Sequence, residues 1–214
     1  MAAQIPLPLP AVPKLRRSDF IVGPGNSAAV TFIDSWPDWP APAAVLYGPS
    51  GSGKSHLAGV WAERVDAETV TAAALTGFSH LSALVVENVD TAPLTHAAET
   101  ALFALIERSQ PMLLTAHEPP MMWQTALPDL RSRFDSLLAF PIWAPDDAML
   151  EGLARKLFAD RQLTVPDAVI AQMIRSLERS PAALRDFVAK ADAAALAAKK
   201  PVTTALIRDL LAEN

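Results

Sequence analysis

Apolar positions along the chain follow two different rhythms. Residues 43–47, Ala-Ala-Val-Leu-Tyr, run without a polar interruption and stop at Gly48. Short apolar runs bounded by turn residues are the mark of a strand buried on both faces of a parallel sheet. Residues 84–87 (Leu-Val-Val-Glu) and 111–115 (Pro-Met-Leu-Leu-Thr) repeat the pattern. Between them, residues 27–36, 55–64 and 97–110 carry apolar side chains three and four apart, which predicts helices. Strands alternating with helices predict an α/β unit whose parallel sheet is covered by helices.

Beyond residue 145 only the helical rhythm survives. Residues 146–161, 166–179, 181–198 and 203–212 read as successive helices, with Pro or Asp near their starts. At the other end, Pro6, Pro8 and Pro10 exclude a helix. The predicted organisation is an extended leader over 1–17, an α/β base over 18–143 and a small all-helical lid over 144–214.

Composition changes this picture little, but it narrows the chemistry. Hydrophobic residues make up 51% of the 214 and charged residues 19%, which suits a packed core. Cys is absent, so disulfides, thiolate metal sites and cysteine nucleophiles are excluded, and a reducing cytoplasm fits. No apolar stretch approaches the roughly 18 residues of a membrane span, and no charged segment precedes an apolar one as in a signal peptide. The net charge is −5, and the basic clusters, Lys14 to Arg17 and Lys199-Lys200, are short. Direct grip on DNA phosphates by this chain alone is disfavoured.

Gly48-Pro49-Ser50-Gly51-Ser52-Gly53-Lys54-Ser55 fits the P-loop pattern G-x-x-x-x-G-K-[ST] between a predicted strand and a predicted helix. Glycines let backbone N–H groups turn inward around a phosphate, and the helix N-terminus adds partial positive charge. Lys54 would reach the β- and γ-phosphates of ADP or ATP, and Ser55 would give an oxygen to Mg²⁺. Glu87, ending the second strand, is the metal-side carboxylate. Asn88 follows it and cannot take a proton at neutral pH. Asp90 is an alternative acid or an ordinary capping residue.

Phe20 to Asn26, the P-loop with His56-Leu57, Leu114 to Pro120 and Leu127 to Phe134 together resemble the AAA+ module of the bacterial initiator DnaA. The resemblance covers about residues 18–140, and the helical tail resembles the AAA+ lid. It implies that Val22, Asn26 and His56 lie near the nucleotide and that Thr115 senses the γ-phosphate. His117 is a lesser candidate for that sensing, with a satisfied structural histidine as its default. Arg133 would be an arginine finger acting in a neighbouring subunit, unless it is a surface residue paired with Asp129 or Asp135. Arg131 is divided evenly between an interface and a solvated charge.

The chain ends at Asn214, where DnaA would continue into a basic DNA-binding domain. Gln4-Ile5-Pro6-Leu7-Pro8-Leu9 is similar to the clamp-binding peptide of Hda/HdaA-type regulators. An extended peptide of this kind offers alternate side chains to a groove, with Gln4, Ile5, Leu7 and Leu9 as contacts. Six residues on their own describe an ordinary disordered Pro/Leu tail better; the DnaA-like module beside them is what favours the clamp peptide. The implied function is regulatory inactivation of DnaA. Held on the DNA polymerase III sliding clamp (its beta subunit), the protein would promote hydrolysis of DnaA-bound ATP, and copies could self-assemble.

Two departures from the DnaA pattern stand out. Asn88 replaces a second carboxylate, and Ala182 occupies the place of a nucleotide-sensing lid arginine, with Arg185 three residues later. Both weaken the expected turnover by the chain itself. The alternatives are an autonomous P-loop ATPase or kinase and a DnaA-like initiator, helicase or clamp loader.

Overall fold

The computed structural model describes residues 16–77, 82–198 and 201–212. Gln4, Ile5, Leu7 and Leu9, expected to bind a clamp, lie outside the described residues. The first half alternates helix and strand: α1 (Ser27–Asp34), β1 (Ala43–Tyr47), α2 (Lys54–Val65), β2 (Glu68–Thr71), β3 (Leu84–Glu87), α3 (His96–Glu107), β4 (Met112–Ala116), α4 (Pro128–Ser136) and β5 (Leu138–Pro141). Four helices follow: α5 (Asp147–Ala159), α6 (Asp167–Ser176), α7 (Pro181–Ala198) and α8 (Thr204–Ala212).

The five strands are parallel in the order β2-β3-β4-β1-β5. In the register Val45↔Leu114 and Leu114↔Val86, alternate side chains point to opposite faces. Val45, Leu84, Val86, Met112 and Leu114 pack with Leu102, Trp123, Leu130 and Phe134 from one side. Ala44, Leu46, Val85 and Leu113 pack with Val30, Ile33, Leu57 and Trp61 from the other. Helices on both faces are why these three strands are uninterrupted apolar runs.

Two strands escaped the sequence reading, and both are edge strands. In β2, Glu-Thr-Val-Thr is largely exposed. In β5, Leu-Ala-Phe-Pro is half-buried throughout. Neither needs a continuous apolar run, because each has a neighbour on one side only. The predicted helix over 97–110 stops at Glu107, and Ser109 takes a positive φ of 53° that ends it.

The last four helices bury a separate apolar cluster, including Leu153, Phe158, Met173 and Phe187. Starts are fixed by side chains: Asp146 accepts from Met149 N at 2.8 Å, and Ser180 accepts from Ala183 N at 3.0 Å. This helical layer meets the sheet layer through Asp19, whose Oδ1 takes a 2.9 Å salt bridge from Lys156. No helix among the described residues is long and apolar enough to cross a membrane.

Candidate functional site

The P-loop connects the carboxyl end of β1 to α2, as its sequence position requires. Gly48 has φ +146°, and a Cβ there would stand 2.1 Å from the Ile142 carbonyl oxygen. Gly51 has φ +73°, and its Cβ would stand 2.9 Å from Ser180 Cβ. The first glycine lets the loop pass the strand end after β5, and the second lets α7's cap sit directly on the loop. Lys54 is buried and donates to the carbonyls of Gly48 and Pro49, at 2.8 Å each. Burial pushes its ammonium pKa down, opposed by the charge of Asp90. Ser52 Oγ is buried without a hydrogen-bond partner among the described residues, and Ser55 is exposed in the first turn of α2. An orphaned hydroxyl and a glycine cradle that side chains would fill both fit a phosphate-bearing ligand.

β3 and β4 deliver their carboxyl ends to the same edge of the sheet. Glu87 closes β3, and Asn88 follows with a φ of 55°. Thr115 is fully buried at the end of β4, and its Oγ1 accepts from Asn88 N at 3.0 Å, which fixes the turn after β3 and leaves the hydroxyl proton to donate. His117 reaches the loop: its Nε2 lies 3.1 Å from Ser50 Oγ, and its Nδ1 lies 3.4 Å from Asp90 Oδ1. Asp90 accepts from the backbone N–H of His117 and Glu118 at 2.7–3.0 Å. No group of three or more His, Cys, Asp or Glu among the described residues could hold a metal ion. Mg²⁺ that keeps its waters and sits on phosphates needs only one or two protein ligands, so Ser55 and Glu87 remain compatible with it.

A narrow cleft opens between this layer and the helical one. Phe20, Ile21, Met149, Leu150 and Leu153 line its apolar part, and Ser52, His56 and Arg185 its polar end. His56 is wedged edge-on against Phe20, with Nε2 3.0 Å from Arg16 O and Nδ1 3.2 Å from an Arg185 nitrogen. Burial is the main cause that lowers the His56 pKa, so the ring is neutral and accepts from the guanidinium. Arg185 also donates to Asp19 O at 3.4 Å, and burial lowers its pKa as well. Ala182 is exposed on the same helix. Asn26 is buried and shapes the segment before α1: its Oδ1 accepts from Gly23 N at 2.9 Å, and its Nδ2 donates to Ile21 O at 3.0 Å. Val22 is 48% exposed in that segment.

Arg133 lies in the last turn of α4, exposed, and pairs with Glu107 of α3 at 2.6 Å, a different partner from Asp129 or Asp135. Arg131 is more constrained. It donates to the carbonyls of Pro120 and Met121 and lies 5.7 Å from the Phe134 ring centre. Sequence reasoning missed the links from Ser50 to His117 and from His56 to Arg185, which join residues 67 and 129 positions apart.

No family model and no curated protein matches the chain. Solved structures do. Domain III of the Thermotoga maritima replication initiation protein DnaA aligns with a TM-score of 0.78 at 19% identity, covering 94% of this chain and 97% of that one. AMPPCP-bound DnaA from Aquifex aeolicus gives 0.69 at 17% identity, covering 82% of this chain and 64% of that one. The Thermotoga maritima RuvB Holliday junction branch migration motor gives 0.62 at 18% identity, covering 79% and 60%. The chain thus spans a little under two thirds of those longer proteins. Its architecture is an α/β AAA+ fold, of the DnaA-like kind.

Proposed function

We propose that this chain is a DnaA-related AAA+ nucleotide-binding regulator of chromosome replication initiation, of the Hda type. Its base (18–143) and lid (144–214) hold ADP or ATP with Mg²⁺ in the cleft above the P-loop, and the leader (1–17) anchors it to the sliding clamp. Gly48 to Ser55 hold the phosphates, Ser55 and Glu87 the metal ion, and Val22, Asn26 and His56 flank the nucleoside. Arg185 supplies the lid's cation in place of an arginine at position 182. When bound, the nucleotide and its metal supply the polarised terminal phosphate bond; the residues of this chain bind and orient it. The protein works in the cytoplasm, beside DnaA and the clamp, and leaves DNA reading to DnaA.

The observation that carries this reading is Arg133. Its guanidinium is exposed on α4 and held by a surface ion pair with Glu107, whose side chain is itself 42% exposed. Such a pair contributes at most about 1 kcal/mol, so the arginine can exchange it for a partner's phosphate. An arginine supplied in trans can raise phosphoryl transfer by on the order of 10³–10⁵. Asn88, where a base would stand, fits a chain with little turnover of its own. The test is hydrolysis of DnaA-bound ATP with clamp loaded on DNA: the chain should stimulate it, and Arg133→Ala should not.

A second reading, an autonomous AAA+ ATPase acting as initiator, helicase or clamp loader, is favoured by one observation. The His117–Asp90 pair beside the loop resembles an oriented base. Turnover near 1 s⁻¹ by the purified chain without partners would select that reading.

A further inference from the structure

A groove of about 250 Å³ lies between α1 and α2, lined by Arg17, by Ile33 and Asp34, and by Val60, Trp61 and Glu63. One wall of it is rigid. The Trp61 ring is fully buried, stacked on Trp39 at 5.1 Å and met edge-on by Trp36 at 5.5 Å. Its indole N–H has no acceptor among the described residues. The indole N–H of Trp39 in the same stack does have one, the Phe32 carbonyl at 2.8 Å. A buried indole donor ordinarily finds a partner, so Trp61 calls for a carbonyl from outside the described residues.

The described chain enters beside this groove. Arg16 has φ −77° and ψ 147°, the angles of polyproline II. Its carbonyl lies 3.0 Å from His56 Nε2, near the start of α2, and Arg17 grips Asp34 of α1 through two nitrogens at 3.0 and 2.7 Å. His56, Val60 and Glu63 are four and three residues apart, so they share one face of α2. Immediately before Arg16 the sequence reads Pro10-Ala11-Val12-Pro13-Lys14-Leu15. Pro13 is three residues from Arg16, about 9 Å of polyproline II. Proline has no N–H, so a strip of this kind can be covered without stranding donors, while its carbonyls remain free to accept. Polyproline II segments dock in aromatic-lined grooves for that reason, and at low ordering cost. Charge agrees with this occupant: Glu63 is exposed and makes no ion pair among the described residues, and Lys14 is the cation next to Pro13. The groove is also smaller than the roughly 300–1,000 Å³ of pockets that enclose a small molecule, which favours a strip of chain.

We infer that the groove between α1 and α2 receives this chain's own Pro10 to Pro13 in polyproline II form, with a backbone carbonyl accepting from Trp61 Nε1–H and Lys14 facing Glu63. Held there, the leader is fixed to the base as far out as residue 10. Whatever takes hold of Gln4 to Leu9 is then tied by a short tether to the helix that begins at Lys54, which raises its effective concentration at the base. The docking itself depends neither on the clamp nor on nucleotide.

The test is a spin label on the full chain, with no partner or nucleotide added. The chain has no cysteine, so Ala11→Cys carries a nitroxide at one place only. In ¹⁵N spectra the label should erase the amide signals of Ile33 and Val60 and the indole signal of Trp61, and leave the Trp123 indole sharp. Trp61→Phe keeps an aromatic ring in the stack and removes the N–H, so the Ile33 and Val60 signals should return. Pro10→Gly with Pro13→Gly, which alters only the leader, should restore them as well and move the Trp61 indole proton upfield as its hydrogen bond is lost. Sharp Ile33 and Val60 signals in the labelled chain overturn the inference. So does equal broadening with and without the two prolines, which marks a tether that never docks, and so does a Trp61 indole shift that ignores them.

Discussion

Arg185→Gln separates the two roles that one side chain could have. The guanidinium touches His56 Nδ1 at 3.2 Å and Asp19 O at 3.4 Å, both long contacts to neutral acceptors. It makes no salt bridge among the described residues, and burial already lowers its pKa. Removing it gives up two weak hydrogen bonds, about 0.5–1 kcal/mol each, and relieves a desolvated charge of similar cost. The free protein should therefore change by no more than about 1 kcal/mol, or about 4 °C in Tm for a chain of this size. ADP at about 100 times Kd stabilises by about 2.7 kcal/mol, roughly 5–11 °C. A charge-assisted bond to phosphate is worth about 1.5–3 kcal/mol, so the variant's Kd should rise about 10- to 100-fold. At the same ADP concentration the stabilisation then drops to about 0.4–1.4 kcal/mol. Differential scanning fluorimetry with and without ADP reads both quantities. A variant that keeps the full ADP shift, or one whose free form loses well over 4 °C, refutes the role assigned to Arg185.

Three further outcomes follow from the same geometry. Lys54→Met should remove the ADP-induced rise in Tm altogether while leaving the free protein no less stable, since it deletes a buried ammonium whose desolvation outweighs the nearby charge of Asp90. Gly51→Ala places a Cβ 2.9 Å from Ser180 Cβ at a φ of +73°, costing about 1–2 kcal/mol for the backbone alone, or about 2–8 °C. Adding Ser180→Gly should recover the steric part and not the backbone part, as read by thermal melts. His56 has its folded pKa held below the ordinary 6.5 by burial first, with Arg185 and Arg17 adding to that and Arg16 O and Asp19 opposing it. The unfolded chain therefore binds the extra proton, so stability is full above about pH 6.5 and falls as pH drops below it. Denaturant melts of wild type and His56→Gln should diverge in slope only in that lower window, and equal slopes would contradict the burial argument.

The parts of the fold that were legible in sequence are those enforced by burial on both faces. β1, β3 and β4 are continuous apolar runs because helices cover each side, and their bounds agree with the reading to within a residue or two. The edge strands carry no such mark: Glu68 and Thr69 of β2 are exposed, and β5 ends in a proline. The P-loop was legible because its residues are contiguous and each glycine answers a backbone need. The bond that Thr115 accepts from Asn88 N was not legible, because a strand-end hydroxyl looks the same in sequence with or without such a partner. Contacts such as His56 with Arg185 and Ser50 with His117 are created by the fold and have no local signature.

The central claim is that the hydrolysis that matters happens in a partner's site, with Arg133 as the reagent. The direct measurement is the rate at which ATP bound to DnaA is hydrolysed in the presence of DNA-loaded clamp and this chain, compared with the chain carrying Arg133→Ala. Stimulation by wild type, lost by at least about 10³-fold in the variant while ADP still raises its Tm, is the result the account expects. Equal stimulation by both proteins would contradict it.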